Sequence, residues 1–177
     1  LAAHGIALEV MAITFMIQVG LSNATTVRTG RAFGARDAAG LRLGASVSIM
    51  MSVAFALATI VVFVALPAPI IGLFLDPANP ESRAIIAYGS VLLLIAGLFQ
   101  LADAAQVMAL GLLAGVQDTR VPMFLATISY WLVGIPASYV LAFPLGYGGP
   151  GLWLGLAIGL TVAAALMMAR FWRLAPR

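Results

Sequence analysis

The sequence predicts an all-α integral membrane protein with five transmembrane helices. Of its 177 residues, 63% are hydrophobic and 8% are charged, whereas a soluble domain carries roughly a quarter charged residues. Four long stretches contain no charge, and a helix needs about 20 apolar residues to cross the hydrocarbon core. The nine arginines lie in short segments between or after these stretches. A soluble domain is therefore excluded, and the lipid bilayer is the expected environment.

The boundaries of the spans are predicted from polar runs, prolines and glycines. The first span ends in the polar run 22–26, and the second stops at Pro67 because proline breaks a helix that it enters. The third contains Asp103 and is longer than the bilayer requires. The charge-free segment 121–169 is too long for one helix, and FPLGYGGPG at 143–151 divides it. The single membrane domain 1–177 is thus predicted to contain spans at about 1–23, 43–66, 84–113, 121–142 and 151–169.

The connections between the spans are predicted to lie at the membrane surface. Segment 24–42 holds four arginines, which hydrocarbon would not tolerate, so we expect a loop there. Segment 67–83 is expected to be an interfacial loop with a short helix, and GVQDTRVP is expected to be a tight connection.

The distribution of arginine supports this count of spans. If 24–42 is cytoplasmic, alternation places 114–120 and the tail from 170 on the same side. That side then holds eight of the nine arginines, and the opposite side holds only Arg83. This asymmetry follows the positive-inside rule. We therefore predict a multi-pass protein of the cell's inner (plasma) membrane with a cytoplasmic C-terminus.

The start of the sequence predicts that the chain is part of a longer protein. Leu1 lies at once inside an apolar segment, without the charged region and cleavage site of a signal peptide. Five spans are also unusual for a whole transporter, because such proteins are commonly built from paired repeats.

The residue content argues against an enzyme. The chain has no cysteine and a single histidine, so neither a disulfide framework nor a metal cluster is expected. We find no phosphate loop, HExxH or Ser/His/Asp arrangement. No cofactor is predicted, and the arginines do not form a nucleic-acid-binding stripe.

Asp103 is the strongest candidate for a functional side chain. An ionisable group inside a span costs about 2.5 to 3.5 kcal/mol on insertion scales, so it should face a bundle interior or a watery cavity. Gln100 and Gln106 lie three residues to either side, on one broad face of the helix. That face could hold a cation, such as Na⁺ at Asp103. The alternative is a packing role, although the chain offers no obvious internal salt-bridge partner.

Glu9 is the other carboxylate well inside an apolar span. Small residues such as Gly5 and Gly20 share its face at helical spacing. This pattern suits the wall of a cavity or a close helix contact. Glu9 is therefore a candidate for ion coupling, and the alternative is a packing role in which it stays protonated.

Two further features concern helix shape and packing. Pro136 interrupts the fourth span and frees backbone carbonyls, so it is a candidate hinge. Tyr130 precedes it on the same span and is assigned, with Gln100 and Gln106, to a candidate substrate cavity. A repeated GxxxG pattern on the last span, at Gly151, Gly155 and Gly159, predicts close helix approach.

Several strings resemble the multidrug and toxic compound extrusion (MATE) family. The second helix of that family's C-terminal lobe and the loop after it resemble LAAHGIALEVMAITFMIQVGLSNATTVRTGRAFGARD. Its tenth to twelfth helices resemble LLAGVQDTRVPM and YWLVGIPASYVLAFPLGYGGPGLW. The resemblance covers nearly the whole chain, and VRxGRAFGA and GxQDTxxP are its most specific strings. Thr29 departs from it, because the family usually has valine there.

The resemblance implies both an architecture and a site. Members have twelve helices in two bundles of six, and this chain would correspond to helices eight to twelve. The N-terminal lobe of the same chain and the seventh helix would be missing. Asp103 falls on the family's tenth-helix aspartate and Glu9 on its eighth-helix glutamate. By resemblance, these two would bind the coupling Na⁺ or H⁺ and help to hold a small organic cation.

The residues leave three functions open. The first is a secondary antiporter that exports organic, often cationic, compounds or drugs in exchange for Na⁺ or H⁺. The second is a lipid-linked sugar flippase of the same superfamily, which would be expected to have a basic cavity. The third is a non-transporting membrane scaffold, which would not need carboxylates in two spans. The carboxylates and the absence of an internal arginine favour the antiporter.

Overall fold

The computed structural model describes residues 2–75 and 82–175, and this part of the chain consists of helices and short turns. Seven α-helices are present, and a π-helical turn, Ser129–Gly134, joins α5 to α6. The helices are α1 (Ala2–Gly34), α2 (Ala38–Ala65), α3 (Pro67–Gly72), α4 (Ser82–Gly115), α5 (Arg120–Ile128), α6 (Ile135–Ala142) and α7 (Gly148–Leu174).

Five of the described helical segments are long and apolar enough to cross a membrane. They are Ala3–Gly34, Ala38–Ala65, Ser82–Gly115, Arg120–Ala142 and Gly148–Leu174. The fourth is continuous through α5, the π-helical turn and α6. The predicted class, all-α with five spans, is confirmed. Many large apolar side chains face outward on these helices, as expected where lipid is the solvent.

Helix α4 lies at the centre of the bundle and contacts α1, α2, α3 and α7. Helices α1 and α4 run side by side in the same direction. Thr14 on α1 contacts Gln100 on α4, and Thr26 contacts Gly111. The two pairs are separated by 86 and 85 residues in the sequence. This constant register fixes the level of each α1 residue against α4.

The segment predicted as a loop at 24–42 is mostly helical, which corrects the sequence-based expectation. Helix α1 continues to Gly34, and α2 begins at Ala38. The turn between them places Arg36 at a φ of 56°, and the Asp37 carboxylate accepts a hydrogen bond of 2.8 Å from the backbone N–H of Gly40. This is an N-cap, which satisfies a backbone donor that the helix leaves free. Charged residues can continue a helix beyond the hydrocarbon, so composition marks the membrane boundary and not the helix end.

The connection after α2 contains the expected short helix. Helix α2 ends at Ala65, just before the prolines, and α3 follows with Pro67 in its first turn, where the missing N–H is not needed. The predicted turn residues at 76–81 lie outside the described residues, as does Arg177.

The ends of α1 and α7, the start of α2 and the turn between α4 and α5 meet at one end of the bundle. Gly30 approaches Gly115 there, and Asp118 forms an ion pair with Arg170. We call this the arginine-rich end. It is defined by the described arginines Arg28, Arg31, Arg36, Arg42, Arg120, Arg170 and Arg173. A buried core beneath it joins α2, α4 and α7 through residues that include Leu41, Met108, Leu112, Met167 and Phe171.

The glycine pattern of α7 produces the predicted close approach. A Cβ added at Gly151 would lie 2.7 Å from the carbonyl of Leu141, and one at Gly159 would lie 2.8 Å from the Cα of Gly134. One at Gly155 would overlap the backbone of Ser138. These contacts hold the π-helical turn and α6 directly against the backbone of α7.

Candidate functional site

Asp103 lies on α4, well inside the membrane-spanning part of the bundle. It stands 12 residues before the helix end at Gly115, which is about 18 Å along the axis. Its side chain is half-buried, whereas Gln100 and Gln106, one turn to either side, are 0% and 5% exposed. The predicted polar face of α4 therefore points into protein.

Tyr130 connects this face to the fourth span. Its hydroxyl lies within reach of the Gln106 side chain and within the electrostatic reach of Asp103. Tyr130 belongs to the π-helical turn, in which the N–H of Ile135 bonds to the carbonyl of Tyr130 five residues earlier. Turns of this kind are rare and occur frequently at functional sites. The structure thus brings together Asp103, Gln106 and Tyr130.

Three buried side-chain atoms have no hydrogen-bond partner in the described part of the chain. They are Nε2 of Gln100, Oε1 of Gln106 and Oγ of Ser129. Two flank Asp103 on α4, and the third is next to Tyr130. Buried polar groups are almost always paired, so each exception calls for an explanation. The two glutamine atoms lie one turn to either side of the one carboxylate of α4, as expected of a site that receives a polar or charged ligand.

Thr14 on α1 contacts the Gln100 side chain. Its hydroxyl oxygen lies 3.2 Å from Oε1 of Gln100 and 2.9 Å from the carbonyl of Met11. One hydroxyl hydrogen cannot satisfy two acceptors, and the two ends of an amide are assigned from such networks. A rotation of the Gln100 amide by 180° would satisfy both contacts. The unpaired atom would then be the carbonyl oxygen, which is a ligand for cations.

Hydroxyl groups on α1 hold α4 in register just beyond this site. Ser22 donates to the carbonyl of Val107 at 2.7 Å, and Thr26 donates to that of Gly111 at 2.9 Å. One turn from Thr14 and from Ser22 on α1, Gln18 and Ser52 exchange two hydrogen bonds and link α1 to α2. Within hydrocarbon, such bonds and small residues replace the hydrophobic effect in holding helices together.

Glu9 is not brought next to Asp103. By the register of α1 and α4 it is level with Ile95, eight residues before Asp103, which is an axial offset of about 12 Å. Its side chain is exposed on the outer surface of α1. Gly5 and Gly20 on the same face have no atom within 4 Å of an added Cβ. This face of α1 is therefore open in the described structure, and a role for Glu9 stays a prediction.

Pro136 lies in the first turn of α6, directly after the π-helical turn. Its position explains why the hydrogen-bond pattern changes here, because proline cannot donate to the carbonyl four residues earlier. Whether this segment bends during function stays a prediction.

The arrangement is suited to binding a cation or a proton. Asp103 supplies negative charge, and the neighbouring amides, phenol and hydroxyl supply neutral oxygen atoms. Sequence reasoning proposed Asp103, both glutamines and Tyr130 for this site, and their role in binding stays a prediction. It missed Thr14 and Ser129, since single hydroxyls in apolar spans are common and only the folded register shows which of them meet the site.

Comparisons with known proteins agree with the fold. The family model MatE matches residues 1–140. The probable multidrug resistance protein NorM of Rhizobium meliloti (strain 1021) is 44% identical over 177 residues, which is 100% of this chain and 38% of that protein. The multidrug resistance protein NorM of Burkholderia vietnamiensis is 42% identical over 171 residues, or 97% of this chain and 37% of that protein.

A solved structure has the same helix arrangement. It is the outward-facing conformation of a multidrug resistance MATE family transporter of the MOP superfamily, with a TM-score of 0.83 at 20% identity. The match covers 98% of this chain and 39% of that one, so the chain spans less than two fifths of the length of the proteins it matches. Because the family model covers most of its residues, the chain belongs to the MatE family.

Proposed function

We propose that this chain forms the ion-coupling part of a secondary antiporter that exports organic, often cationic, compounds in exchange for Na⁺ or H⁺. The observation that carries the proposal is that Gln100 and Gln106, one turn to either side of Asp103, each have a buried side-chain atom without a hydrogen-bond partner among the described residues. The names of the relatives, which describe multidrug resistance proteins, support the substrate class.

The proposed mechanism is competition for one carboxylate. A carboxylate withdrawn from water is disfavoured in its charged form unless a cation or a proton compensates it. The coupling ion, Na⁺ or H⁺, and the organic cation would therefore bind Asp103 alternately and not at the same time. Gln100, Gln106 and Tyr130 would supply neutral contacts that fit either occupant. Exchange requires this mutual exclusion.

The proposed orientation places the arginine-rich end on the cytoplasmic side of the cell's inner (plasma) membrane. Seven described arginines share that end, whereas Arg83 begins α4 at the other. Retention of arginine on the cytoplasmic side is the strongest topological signal in such chains. The opposite end would then open outward.

The function can be tested in a chimaera in which this chain replaces the matched segment of the Rhizobium meliloti relative. The host should be a bacterium that lacks its own drug exporters, and the probe is the cationic dye ethidium. We expect the chimaera to lower cellular ethidium and to lose this effect when both the Na⁺ and the H⁺ gradients are dissipated. Dissipating each gradient separately identifies the coupling ion.

The intact relative serves as the positive control, and membrane insertion is verified by immunoblotting. A chimaera that reaches the membrane at the level of the intact relative but leaves ethidium accumulation unchanged would contradict the proposed function.

A further inference from the structure

The fourth span packs against the backbone of α7 at one end and less closely, through side chains, at the other. Between Gly134 and Ala142 the span touches the backbone of α7 through the glycines described above. Towards the arginine-rich end no glycine of α7 makes such a contact, and side chains of α5 and α7 line a cavity of about 240 Å³. We call this cavity the α5–α7 groove.

The walls of the α5–α7 groove are apolar, and its mouth is basic. The apolar wall consists of Val121, Leu125, Leu166, Ala169 and Leu174. Arg170 and Arg173 complete the lining at the arginine-rich end. Arg170 is paired with Asp118, which lies outside the groove lining. Arg173 is exposed and makes no ion pair within residues 2–75 and 82–175, so the mouth carries a net positive charge.

The mouth lies at the level expected for the membrane–water interface. Trp172, adjacent to Arg173, is 37% exposed, and the guanidinium of Arg42 lies 5.9 Å from the centre of its ring. Tryptophan is enriched at this level of a bilayer, where its ring meets the headgroups. A molecule in the groove would thus have its polar end among the headgroups and its apolar end in hydrocarbon.

We propose that the α5–α7 groove binds an anionic phospholipid, with the phosphate at Arg173 and an acyl chain along Leu125 and Leu166. The commitment to a lipid follows from the shape and charge of the groove. An apolar wall that continues into the hydrocarbon excludes a free phosphate ion as the natural occupant. An uncompensated guanidinium at the headgroup level favours a lipid of net negative charge over a zwitterionic one, by about 1 kcal/mol per basic residue, which corresponds to about a fivefold difference in affinity.

This inference does not depend on the proposed export function. The lipid would lie between the span that carries Tyr130 and the helix that packs against it. It would fill the gap that the glycine contacts leave open, and so stabilise the contact between α5 and α7.

The test is lipid binding to the purified chimaera in detergent, measured by native mass spectrometry with phosphatidylglycerol and with phosphatidylcholine. We expect phosphatidylglycerol to bind more tightly, and Arg173→Gln to weaken it about fivefold. Arg36→Gln is the matched control, because Arg36 is exposed at the same end of the bundle but does not line the groove. It should leave the affinity unchanged.

A second readout locates the lipid. This chain has no cysteine, so a spin label at Ala169→Cys reports on the groove once any cysteines of the relative's part are replaced by serine. The label should lose mobility in phosphatidylglycerol but not in phosphatidylcholine, and a label at exposed Phe124→Cys should not differ. Equal losses of affinity for Arg173→Gln and Arg36→Gln would overturn the inference. Displacement of the lipid by inorganic phosphate would also overturn it. A label at position 169 that is immobile in both lipids would overturn it too, because protein would then fill the groove.

Discussion

At the residue scale, the site combines one charge with several neutral oxygen atoms. Asp103 is half-buried, the amides of Gln100 and Gln106 lie one turn to either side of it, and the phenol of Tyr130 lies within its electrostatic reach. Among the described residues the one ion pair joins Arg170 and Asp118, so Asp103 has no arginine as its partner. A carboxylate without a fixed counter-charge is free to accept a mobile one, and this is the property that ion exchange needs.

Thr14 provides a test of how this site is held together. Thr14→Val removes the hydroxyl that contacts Gln100 while keeping the size and shape of the side chain. A hydrogen bond of this kind contributes about 1 kcal/mol, so we expect the ion concentration for half-maximal export to rise about fivefold in the chimaera. Thr14→Ser keeps the hydroxyl and should behave like the unaltered protein.

The measurement is the dependence of ethidium export on the coupling ion. An unchanged half-maximal concentration in Thr14→Val, at normal expression, would show that the Thr14 contact does not organise the site.

The residues of the site differ in how far sequence predicts them. Asp103 stands out because a charge within an apolar helix is rare, and the helical period places Gln100 and Gln106 beside it. Tyr130 is assigned to the candidate cavity from its place on the fourth span, and only the fold shows that it reaches Gln106. Thr14 and Ser129 are hydroxyl residues of a kind that is common in apolar helices, so the sequence does not single them out. Their positions near the site follow from the register of α1 and α4 and from the π-helical turn.

At the scale of the elements, the glycines of α7 set the position of the fourth span. The contact is backbone to backbone, and the hydroxyl of Ser138 donates to the carbonyl of Leu152 at 3.1 Å across it. Any side chain at these glycines would push the π-helical turn, and Tyr130 with it, away from α7.

Gly155→Ala tests this packing directly. The added methyl group would overlap the backbone of Ser138, and such overpacking typically costs about 1 to 3 kcal/mol. Gly20→Ala is the matched control, because an added Cβ there meets no atom within 4 Å and the gain in helix propensity is the same. We expect the detergent-solubilised chimaera to have a lower melting temperature only with Gly155→Ala. Equal melting temperatures for the two variants would show that the fourth span can move without cost.

Element boundaries were less predictable than element identity. Hydropathy predicted all five spans, because the hydrocarbon sets their length and composition. It placed the end of the first span near residue 23, whereas α1 continues to Gly34. The excess lies where the arginines begin, and there Gly30 packs against Gly115, a contact that the sequence does not reveal.

At the scale of the whole molecule, the grouping of arginines at one end of the bundle predicts which end faces the cytoplasm. Single cysteines at Ala35 and Tyr147 should lie on opposite sides of the membrane, since both residues are exposed and they lie at opposite ends of the bundle. Tyr147 is preferable to Gly148, whose φ of 56° disfavours a side chain. In intact cells, an impermeant maleimide should label position 147 of the chimaera and not position 35. Labelling of both positions would contradict the five-span arrangement.

The central claim is that Asp103 couples ion movement to export, and purified chimaera in liposomes tests it most directly. Asp103→Asn keeps the size of the side chain and removes its charge, while Asp37→Asn makes the same change at a helix cap where asparagine serves equally well. Glu9→Gln tests the exposed carboxylate and should weaken transport less.

The measurement is the rate of ethidium movement driven by an imposed Na⁺ or H⁺ gradient, at equal amounts of inserted protein. We predict that Asp103→Asn abolishes gradient-driven movement, whereas Asp37→Asn preserves it. Transport by Asp103→Asn at the unaltered rate, with unchanged dependence on the ion gradient, would contradict the claim and leave Asp103 a packing residue.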